Sequence, residues 1–204
     1  MGIASHVRNL AKTNNRASAA TAKTEIRRKV LEAIGADAAH VFDAFAGDGH
    51  MWRTVWHAAA GYVGCDKEFY VDERIAFVGD NRRVMRAIDL RAFNVFDLDS
   101  YGSPWEQLYI LAARRPIEPG ERIGLVLTEG TGLKMKMGGM PLALATLASV
   151  RPHMHGLGKV QDELINRGVA GAARLMAAEV QLRWQAASTK GSAMRYIGMV
   201  LQGR

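Results

Sequence analysis

The sequence is poor in cysteine and in long apolar runs. Cys65 is the only cysteine, which excludes an internal disulfide and is typical of a protein kept in a reducing compartment. No uninterrupted apolar run approaches the roughly 18 residues that a membrane helix requires. Residues 1–13 also lack the apolar segment of a secretory signal. We therefore expect a cytoplasmic chain that makes no membrane contact.

Acidic residues are scarce in three stretches, and the formal net charge is +7. Residues 1–36 hold seven Lys and Arg against two Glu, residues 130–161 contain no acid, and none follows Glu179. Clustered positive charge favours a polyanionic partner such as nucleic acid. A solvated basic surface explains the charge equally well. We expect residues 1–20 to form a basic arm ahead of a single domain at 21–204.

Strand-like and helix-like patterns alternate along the chain, which predicts an α/β doubly wound, mostly parallel sheet. Residues 180–187 and 194–201 alternate in polarity around a short polar segment and predict a C-terminal antiparallel hairpin. Residues 130–158 are rich in glycine, and we interpret them as a substrate-side loop or insertion, or as a flexible linker. Strands are expected at 39–45, 62–65, 74–78, 93–96 and 122–128. Helices are expected from Thr21 or Thr24 to Ile34 and at 50–60, 82–88, 104–113, 142–150 and 160–178.

The first strand runs into a glycine turn, Asp43-Ala-Phe-Ala-Gly47-Asp-Gly49. Glycine permits positive φ and a close approach of the backbone to a ligand, so this turn predicts a nucleotide-like ligand at the end of a strand. Trp52 stands where the dinucleotide motif needs a third small glycine, and no Gly-Lys-Ser/Thr follows the turn. Both observations disfavour a ligand held by its phosphates.

Acidic residues follow the next two predicted strands. Asp66 lies 19 residues after Gly47, at a strand end where a carboxylate can accept both hydroxyl protons of a ribose. Asp80, with Asn81 beside it, is placed to accept a hydrogen bond from an adenine amino group. A ligand that combines a ribose and an adenine with an amino acid, rather than phosphates, fits this series best.

The glycine turn followed by Asp66 and Asp80 resembles the ligand motifs of class I S-adenosylmethionine-dependent methyltransferases over residues 39–128. The resemblance implies a Rossmann-like methyltransferase sheet and S-adenosyl-L-methionine as the cofactor. It also implies a set of cofactor-binding residues, namely Asp43, Phe45, Ala46, Gly47, Gly49, Asp66, Asp80, Asn81 and Asp97.

A second informative segment, Asp97-Leu-Asp99-Ser100-Tyr101-Gly102-Ser-Pro, follows the fourth strand. An exocyclic amine of a base is a poor nucleophile, because its lone pair is delocalised into the ring. Acceptors for its N–H groups and an aromatic ring that stacks on the base would favour methyl transfer to it. Asp99, the Ser100 carbonyl and Tyr101 supply these groups, and strong general-base catalysis is not required. The candidate catalytic residues are Asp99, Ser100, Tyr101 and Gly102.

This segment resembles the D-P-P-Y motif of amino-methyltransferases, and more closely the D-L-D-P-F-G-S-P motif of tRNA guanine-N2 dimethyltransferases. It departs from the latter at Ser100 and Tyr101, and those enzymes are longer, with a C-terminal substrate-binding domain. The resemblance implies methyl transfer to nitrogen and leaves the substrate open. Asp97 remains open between a catalytic, a cofactor-binding and a structural role.

Two further groups of residues allow more than one interpretation. His153 and His155 flank Met154 without the ligands of a metal site, so we expect phosphate contact or surface exposure and no metal. Lys23 and Thr24 are candidates either for a cofactor carboxylate contact or for a helix cap.

The leading hypothesis is an N-methyltransferase that acts on an exocyclic amine of a nucleic acid base. The alternatives are methylation of a protein or small molecule, and a non-catalytic module that binds nucleic acid or a partner. A dimer or partner subunit is a further expectation, since this short chain would need a source of substrate specificity.

Overall fold

The computed structural model describes residues 17–153, 155–187 and 194–204. The helices are α1 (Ala17–Ile34), α2 (His50–Thr54), α3 (Asn81–Ala87), α4 (Trp105–Arg114), α5 (Gly132–Lys136), α6 (Leu142–Ala148) and α7 (Gln161–Leu175). The strands are β1 (His40–Asp43), β2 (Gly61–Asp66), β3 (Ala76–Val78), β4 (Val95–Leu98), β5 (Arg122–Glu129), β6 (Ala178–Ala186) and β7 (Arg195–Gly203). Short 3₁₀ turns lie at Ala36–Ala38, Trp56–Ala58, Leu90–Ala92 and Leu157–Val160.

The strands of the described residues form one sheet in the order β3-β2-β1-β4-β5-β7-β6. Strands β1 to β5 are parallel, whereas β7 lies antiparallel between β5 and β6. The α/β class, the mostly parallel doubly wound sheet and the closing antiparallel hairpin are therefore confirmed. The tip of the hairpin, expected at 188–192, lies outside the described residues. All five parallel strands end at the same edge of the sheet, which brings the predicted site residues together there.

Helix α1 covers one face of the sheet, and α4, α6 and α7 pack together on the other. The approach of α1 is close because two glycines lie beneath it. A Cβ at Gly124 of β5 would lie 2.6 Å from Val30 Cγ1, and one at Gly198 of β7 would lie 2.9 Å from Ile26 Cγ2. This packing brings the side chains of α1 within reach of the end of β4.

Several predicted helix boundaries are wrong. Helix α1 begins at Ala17 rather than at Thr21 or Thr24, because residues 17–20 include three alanines, which favour helix. These residues therefore belong to the helix, and residues 1–16 of the expected arm lie outside the described residues. Helix α2 ends at Thr54 rather than near residue 60, since the backbone leaves the helix at Val55 and turns the fully buried Trp56 inward.

The segment 130–158 contains the helix expected at 142–150, which is α6 and ends at Ala148. It also contains α5, which was not expected, and an isolated bridge that joins Gly139 to His153. None of the helices in the described part of the chain combines the length and the hydrophobicity that a bilayer span requires.

Candidate functional site

The glycine turn connects β1 to α2 in a conformation that needs glycine. Gly47 and Gly49 have φ values of 47° and 81°, which ordinary side chains rarely adopt. The Asp66 carboxylate at the end of β2 accepts a hydrogen bond from the Gly47 amide at 2.9 Å and from the Glu68 amide at 3.1 Å. The turn and the second strand end are thus joined directly, a contact that the sequence did not predict.

Arg74, which sequence reasoning missed, holds the same turn from the connection between β2 and β3. Its Nη1 and Nη2 donate to the carbonyls of Ala46 and Gly47 at 3.0 and 2.9 Å, and its Nε donates to Asp72. A Cβ at Gly49 would lie 2.8 Å from the Arg74 guanidinium carbon. The small size of Gly49 therefore accommodates Arg74. The cavity beside Asp66 and Arg74 measures only about 120 Å³.

Asp80 and Asn81 begin α3, and hydrogen bonds hold both side chains. Asp80 caps the helix by accepting from the Arg82 amide, and the Arg82 guanidinium pairs with the same carboxylate. The hydrogen bond from Arg82 lowers the pKa of Asp80 well below its ordinary value. Asn81 donates to the Ala44 carbonyl and accepts from Gln107. Asp80 and Asn81 therefore both have partners within the protein.

Asp97, near the end of β4, lies in a buried ion pair. Arg27 donates to its two carboxylate oxygens at 2.6 and 2.8 Å, and the Trp56 indole donates at 2.8 Å. The side chains of Arg27 and Asp97 have no exposed surface. The structure thus places Asp97 below the surface of the site, where it attaches α1 and the 3₁₀ turn of Trp56 to β4. No local pattern in the sequence marks Arg27 as its partner.

Asp99 lies two residues further on and meets a second cation of α1. Lys23 Nζ donates to both carboxylate oxygens at 2.9 and 3.0 Å, and Arg27 Nη2 lies 3.1 Å from Oδ2. Burial acts to raise the pKa of Asp99, but Arg27 and Lys23 outweigh it and lower the pKa below its ordinary value. Asp99 is therefore an ionised hydrogen-bond acceptor and a weak base.

Asp43 ends β1 beneath the glycine turn. Its carboxylate accepts from the Phe45 amide at 3.1 Å and from the Tyr62 hydroxyl at 3.0 Å. Burial, with the charge of Asp97 nearby, raises the pKa of Asp43 to about 8. Its protonated form is thus favoured relative to that of a free Asp.

One cavity of about 510 Å³, which we call the central cavity, joins the two predicted motifs. The glycine turn lines one side, and the Asp99-Ser100-Tyr101 segment lines the other. Tyr101 is 77% exposed, so its ring is available to a ligand, whereas the Ser100 hydroxyl donates to the Thr128 carbonyl. The lining residues are Ala20, Lys23, Asp43, Phe45, Ala46, Gly47, Asp48, His50, Met51, Asp99, Ser100 and Tyr101.

The segment after β5 anchors the far end of the segment 99–102. Gly102, with φ of 113°, accepts a 2.7 Å hydrogen bond from the Gly130 amide. The neighbouring Glu129 is fully buried and accepts from Thr131 and Gln161. Sequence reasoning missed this anchor, although an acid at the end of an apolar strand is a visible signal.

His153 and His155 are exposed and line a cavity of about 420 Å³ together with Lys136. Met154, between them, lies outside the described residues. Within the described residues, no group of three or more potential ligands is arranged to hold a metal ion.

Comparison with known proteins shows similarity of structure only. No protein-family model and no curated protein matches the sequence. The structure of Trm1 from Pyrococcus horikoshii in complex with S-adenosyl-L-methionine matches 90% of this chain, with a TM-score of 0.57 and 17% identity. This chain spans 56% of the length of that protein.

Two further solved structures match in the same way. TYW2 from M. jannaschii in complex with AdoMet matches 90% of this chain over 77% of its own, with a TM-score of 0.55 and 11% identity. A 1,6-didemethyltoxoflavin-N1-methyltransferase from Burkholderia thailandensis, solved with bound 1,6-didemethyltoxoflavin and S-adenosylhomocysteine, matches 89% of this chain over 78% of its own, with a TM-score of 0.50 and 12% identity. This chain therefore has the Rossmann-like fold of class I S-adenosylmethionine-dependent methyltransferases.

Proposed function

We propose that this protein is an S-adenosylmethionine-dependent N-methyltransferase that acts on an exocyclic amine of a nucleic acid base. The observation that carries the proposal is the central cavity, in which the glycine turn faces the Asp99-Ser100-Tyr101 segment. Three solved structures of this fold contain the cofactor or its demethylated product. A site for the methyl donor and acceptors for an amine thus share one cavity.

The residues of the cavity fit the amino acid end of the cofactor well and its adenosine less well. Asp43 and Gly47 line the central cavity, and Asp66, which accepts from the Gly47 amide, lines the small cavity beside it, which supports a cradle for the cofactor at this turn. The space beside Asp66 is small because Arg74 lies over the turn. We infer that the connection between β2 and β3, which carries Arg74, moves when the cofactor binds.

The cofactor supplies a methyl group on a positively charged sulfur. The amine nitrogen forms a bond to that carbon as the carbon–sulfur bond breaks, and one proton leaves the nitrogen for solvent. Asp99 and the Ser100 carbonyl accept hydrogen bonds from the N–H groups of the amine. These hydrogen bonds direct the nitrogen lone pair toward the methyl group. The exposed ring of Tyr101 stacks on the base. The low pKa of Asp99 keeps it an acceptor throughout.

Exposed basic residues support a nucleic acid substrate. Lys134, Lys136, Arg151 and Lys159 are all exposed in a stretch without acids. Such a surface binds the phosphates of a strand of any sequence and positions the strand without reading its bases.

We also place the protein in the cytoplasm, because its one cysteine is a buried free thiol.

Transfer of a labelled methyl group from S-adenosyl-L-methionine to separate pools of DNA, RNA and tRNA tests the proposal. We expect incorporation into one pool and, after digestion, a nucleoside methylated on its exocyclic nitrogen. The absence of label from all three pools would overturn the nucleic acid substrate, whereas label on a ring carbon or ring nitrogen would overturn the amine chemistry.

A second candidate, a binding module that does not use the cofactor, is favoured by the position of Arg74. Calorimetric titration with S-adenosylhomocysteine separates the two, because a module of this kind would give no binding heat. The matched variant Arg74→Ala removes the side chain that narrows the cavity beside Asp66, where the adenosine of the cofactor would lie. Binding by the variant alone would indicate a site that Arg74 closes in the natural protein.

A further inference from the structure

His153 and His155 share a cavity with Lys136 that has no part in the proposed methyl transfer, and we call it the histidine cavity. It measures about 420 Å³, which falls within the range of small-molecule sites. All three side chains belong to the glycine-rich segment 130–158 and are exposed. The lining residues are Lys136, Met137, Gly138, His153, His155 and Gly156.

Close packing between two parts of the chain forms the walls of the histidine cavity. The 3₁₀ turn that contains Gly158 lies against the end of α5, since a Cβ at Gly158 would lie 2.9 Å from Lys136 Cγ. On the other side, the isolated bridge joins Gly139 to His153. A Cβ at Gly139 would lie 3.7 Å from both His153 Nδ1 and Lys134 Cε. The walls thus bring two lysine side chains and an imidazole ring to one place.

The cations of the histidine cavity are not neutralised by carboxylates. Residues 130–161 contain no acid, and none of the ion pairs within the described residues includes Lys134, Lys136, His153 or His155. By contrast, Lys23 in the central cavity is paired with Asp99. An anion can therefore bind in the histidine cavity without displacing an existing ion pair.

The donors of this cavity match a phosphate better than a metal ion or a nucleobase. Each lysine ammonium offers three N–H donors, and each histidine ring offers at least one. A phosphodiester group has a negative charge and oxygen acceptors that suit such donors. A metal ion is disfavoured because the described residues contain no group of three or more potential ligands. A nucleobase would find Met137 as the one large apolar side chain among the described lining residues.

One short helix separates the histidine cavity from the candidate catalytic segment. The Gly130 amide donates to the Gly102 carbonyl at 2.7 Å, and α5 begins two residues later, at Gly132. Its five residues span about 7 Å at the usual rise of an α-helix, and its last residue, Lys136, lines the cavity. Because phosphates of one strand follow each other about every 3.4 Å along a duplex axis, a strand can reach both cavities within a few nucleotides.

We infer that the histidine cavity is a phosphate subsite, which binds a backbone phosphate a few nucleotides from the base that is methylated. Lys134, Lys136 and the rings of His153 and His155 donate N–H groups to the phosphate oxygens. The inference rests on the proposed function and deepens it, since it assigns one fixed contact within the basic surface. Every nucleotide carries the same phosphate, so this contact adds affinity and register without reading the sequence.

Fluorescence anisotropy with labelled single strands of RNA and DNA, each in two unrelated sequences, tests the subsite. In Lys136→Gln/His155→Gln we expect Kd to rise about tenfold for both sequences, the size of one hydrogen bond to a charged group. The slope of log Kd against log salt concentration should fall by about one. The matched control, Lys159→Gln/His57→Gln, removes an exposed lysine of the same acid-free stretch and an exposed histidine, neither of which lines the cavity. It should show a smaller loss.

The possible failures are distinguishable. Equal losses in the two double variants would indicate a diffuse basic surface, which overturns the subsite and leaves the proposed function in place. A loss confined to one sequence would indicate a base contact and would also overturn the subsite.

Two further measurements separate the subsite from the proposed function. If a polyglutamate peptide binds as tightly as the strands and loses as much affinity in Lys136→Gln/His155→Gln, the cavity accepts acidic protein and the inference is overturned. If the strands bind with the expected losses but accept no methyl group, the phosphate contact is supported and the proposed methyl transfer is overturned. If no strand binds, both are wrong.

Discussion

Arg27 on α1 holds Asp97 on β4 in a bidentate ion pair, with Nε 2.6 Å from Oδ2 and Nη2 2.8 Å from Oδ1. The two residues are 70 positions apart in the chain, and neither side chain has exposed surface. Because Asp99 follows two residues later and also contacts Arg27, the same pair fixes the position of the candidate catalytic carboxylate relative to α1.

The loss of Arg27 alone should lower the free energy of unfolding more than the loss of both Arg27 and Asp97. Arg27→Met leaves a buried carboxylate without its cation, which costs about 3–5 kcal/mol in comparable cases. In the double variant Arg27→Met/Asp97→Leu the uncompensated charge is gone, so we expect a smaller loss. Urea unfolding of the two variants checks this, and a double variant that is no more stable than the single one would contradict it.

Lys23 should control the pH range in which Asp99 is ionised. Burial raises the pKa of Asp99 while Arg27 and Lys23 lower it, so Lys23→Met moves that pKa upward. If the ionised form accepts the amine, the acid limb of the pH–rate profile for methyl transfer should shift to higher pH. Lys29→Met, which removes an exposed lysine paired with Glu25 on the same helix, should leave the limb in place. An unchanged limb in Lys23→Met would show that Asp99 ionisation does not limit the reaction.

The sequence alone predicts the sheet and the juxtaposition of the two motifs, because both follow from local signals. Strand periodicity locates the ends of β1, β2 and β4 to within two residues, and parallel strands bring those ends to one edge. Gly47, Asp66 and Asp99 were therefore expected near one another, and the structure brings them together. The Asp80 cap was also visible as an acid before a helix, whereas its place after the third strand predicts a ligand contact, and that contact stays a prediction.

The ion pairs of the site lie beyond such reasoning. Lys23 was a candidate for a cofactor contact or a helix cap, whereas the structure pairs it with Asp99. Lys23 and Arg27 sit in a basic stretch whose neighbours, Arg28 and Lys29, belong to the solvated face. Only the docking of α1 on the sheet decides which of them are buried. Arg74 is likewise placed by a connection without regular structure, so no period in the sequence points to it.

Asp43 should make stability fall as the pH rises toward 8. Its pKa is raised to about 8 in the folded protein, whereas an unfolded Asp titrates near its ordinary value of about 4. Between these values the folded state holds a proton that the unfolded state has released, so the free energy of unfolding falls by up to about 1.4 kcal/mol per pH unit. Asp43→Asn should lose this dependence, and Asp37→Asn, an exposed carboxylate, should retain it. Parallel curves for Asp43→Asn and the natural protein between pH 4 and 8, measured by urea unfolding, would refute the assignment.

The contribution of the contact between Gly49 and Arg74 can be isolated by comparison with a glycine that has the same φ. Gly49 and Gly120 share a φ of 81°, but a Cβ at Gly120 would meet no atom within 4 Å. Both Gly→Ala variants should lose about 1 kcal/mol from the positive φ. Gly49→Ala should lose more, because its Cβ displaces Arg74 from the Ala46 and Gly47 carbonyls. Equal melting temperatures for the two variants would contradict this account of the turn.

The most direct test of the central claim is the single-turnover rate of methyl transfer to the accepting nucleic acid, with cofactor saturating, in Asp99→Asn and in the control Asp37→Asn. We expect a rate at least about a hundredfold lower in Asp99→Asn, the usual effect of losing a group that orients or activates the reacting atom. Affinity for S-adenosylhomocysteine should stay within a few-fold in both variants. A normal rate in Asp99→Asn, with the cofactor bound, would contradict the claim that the central cavity activates an amine through Asp99.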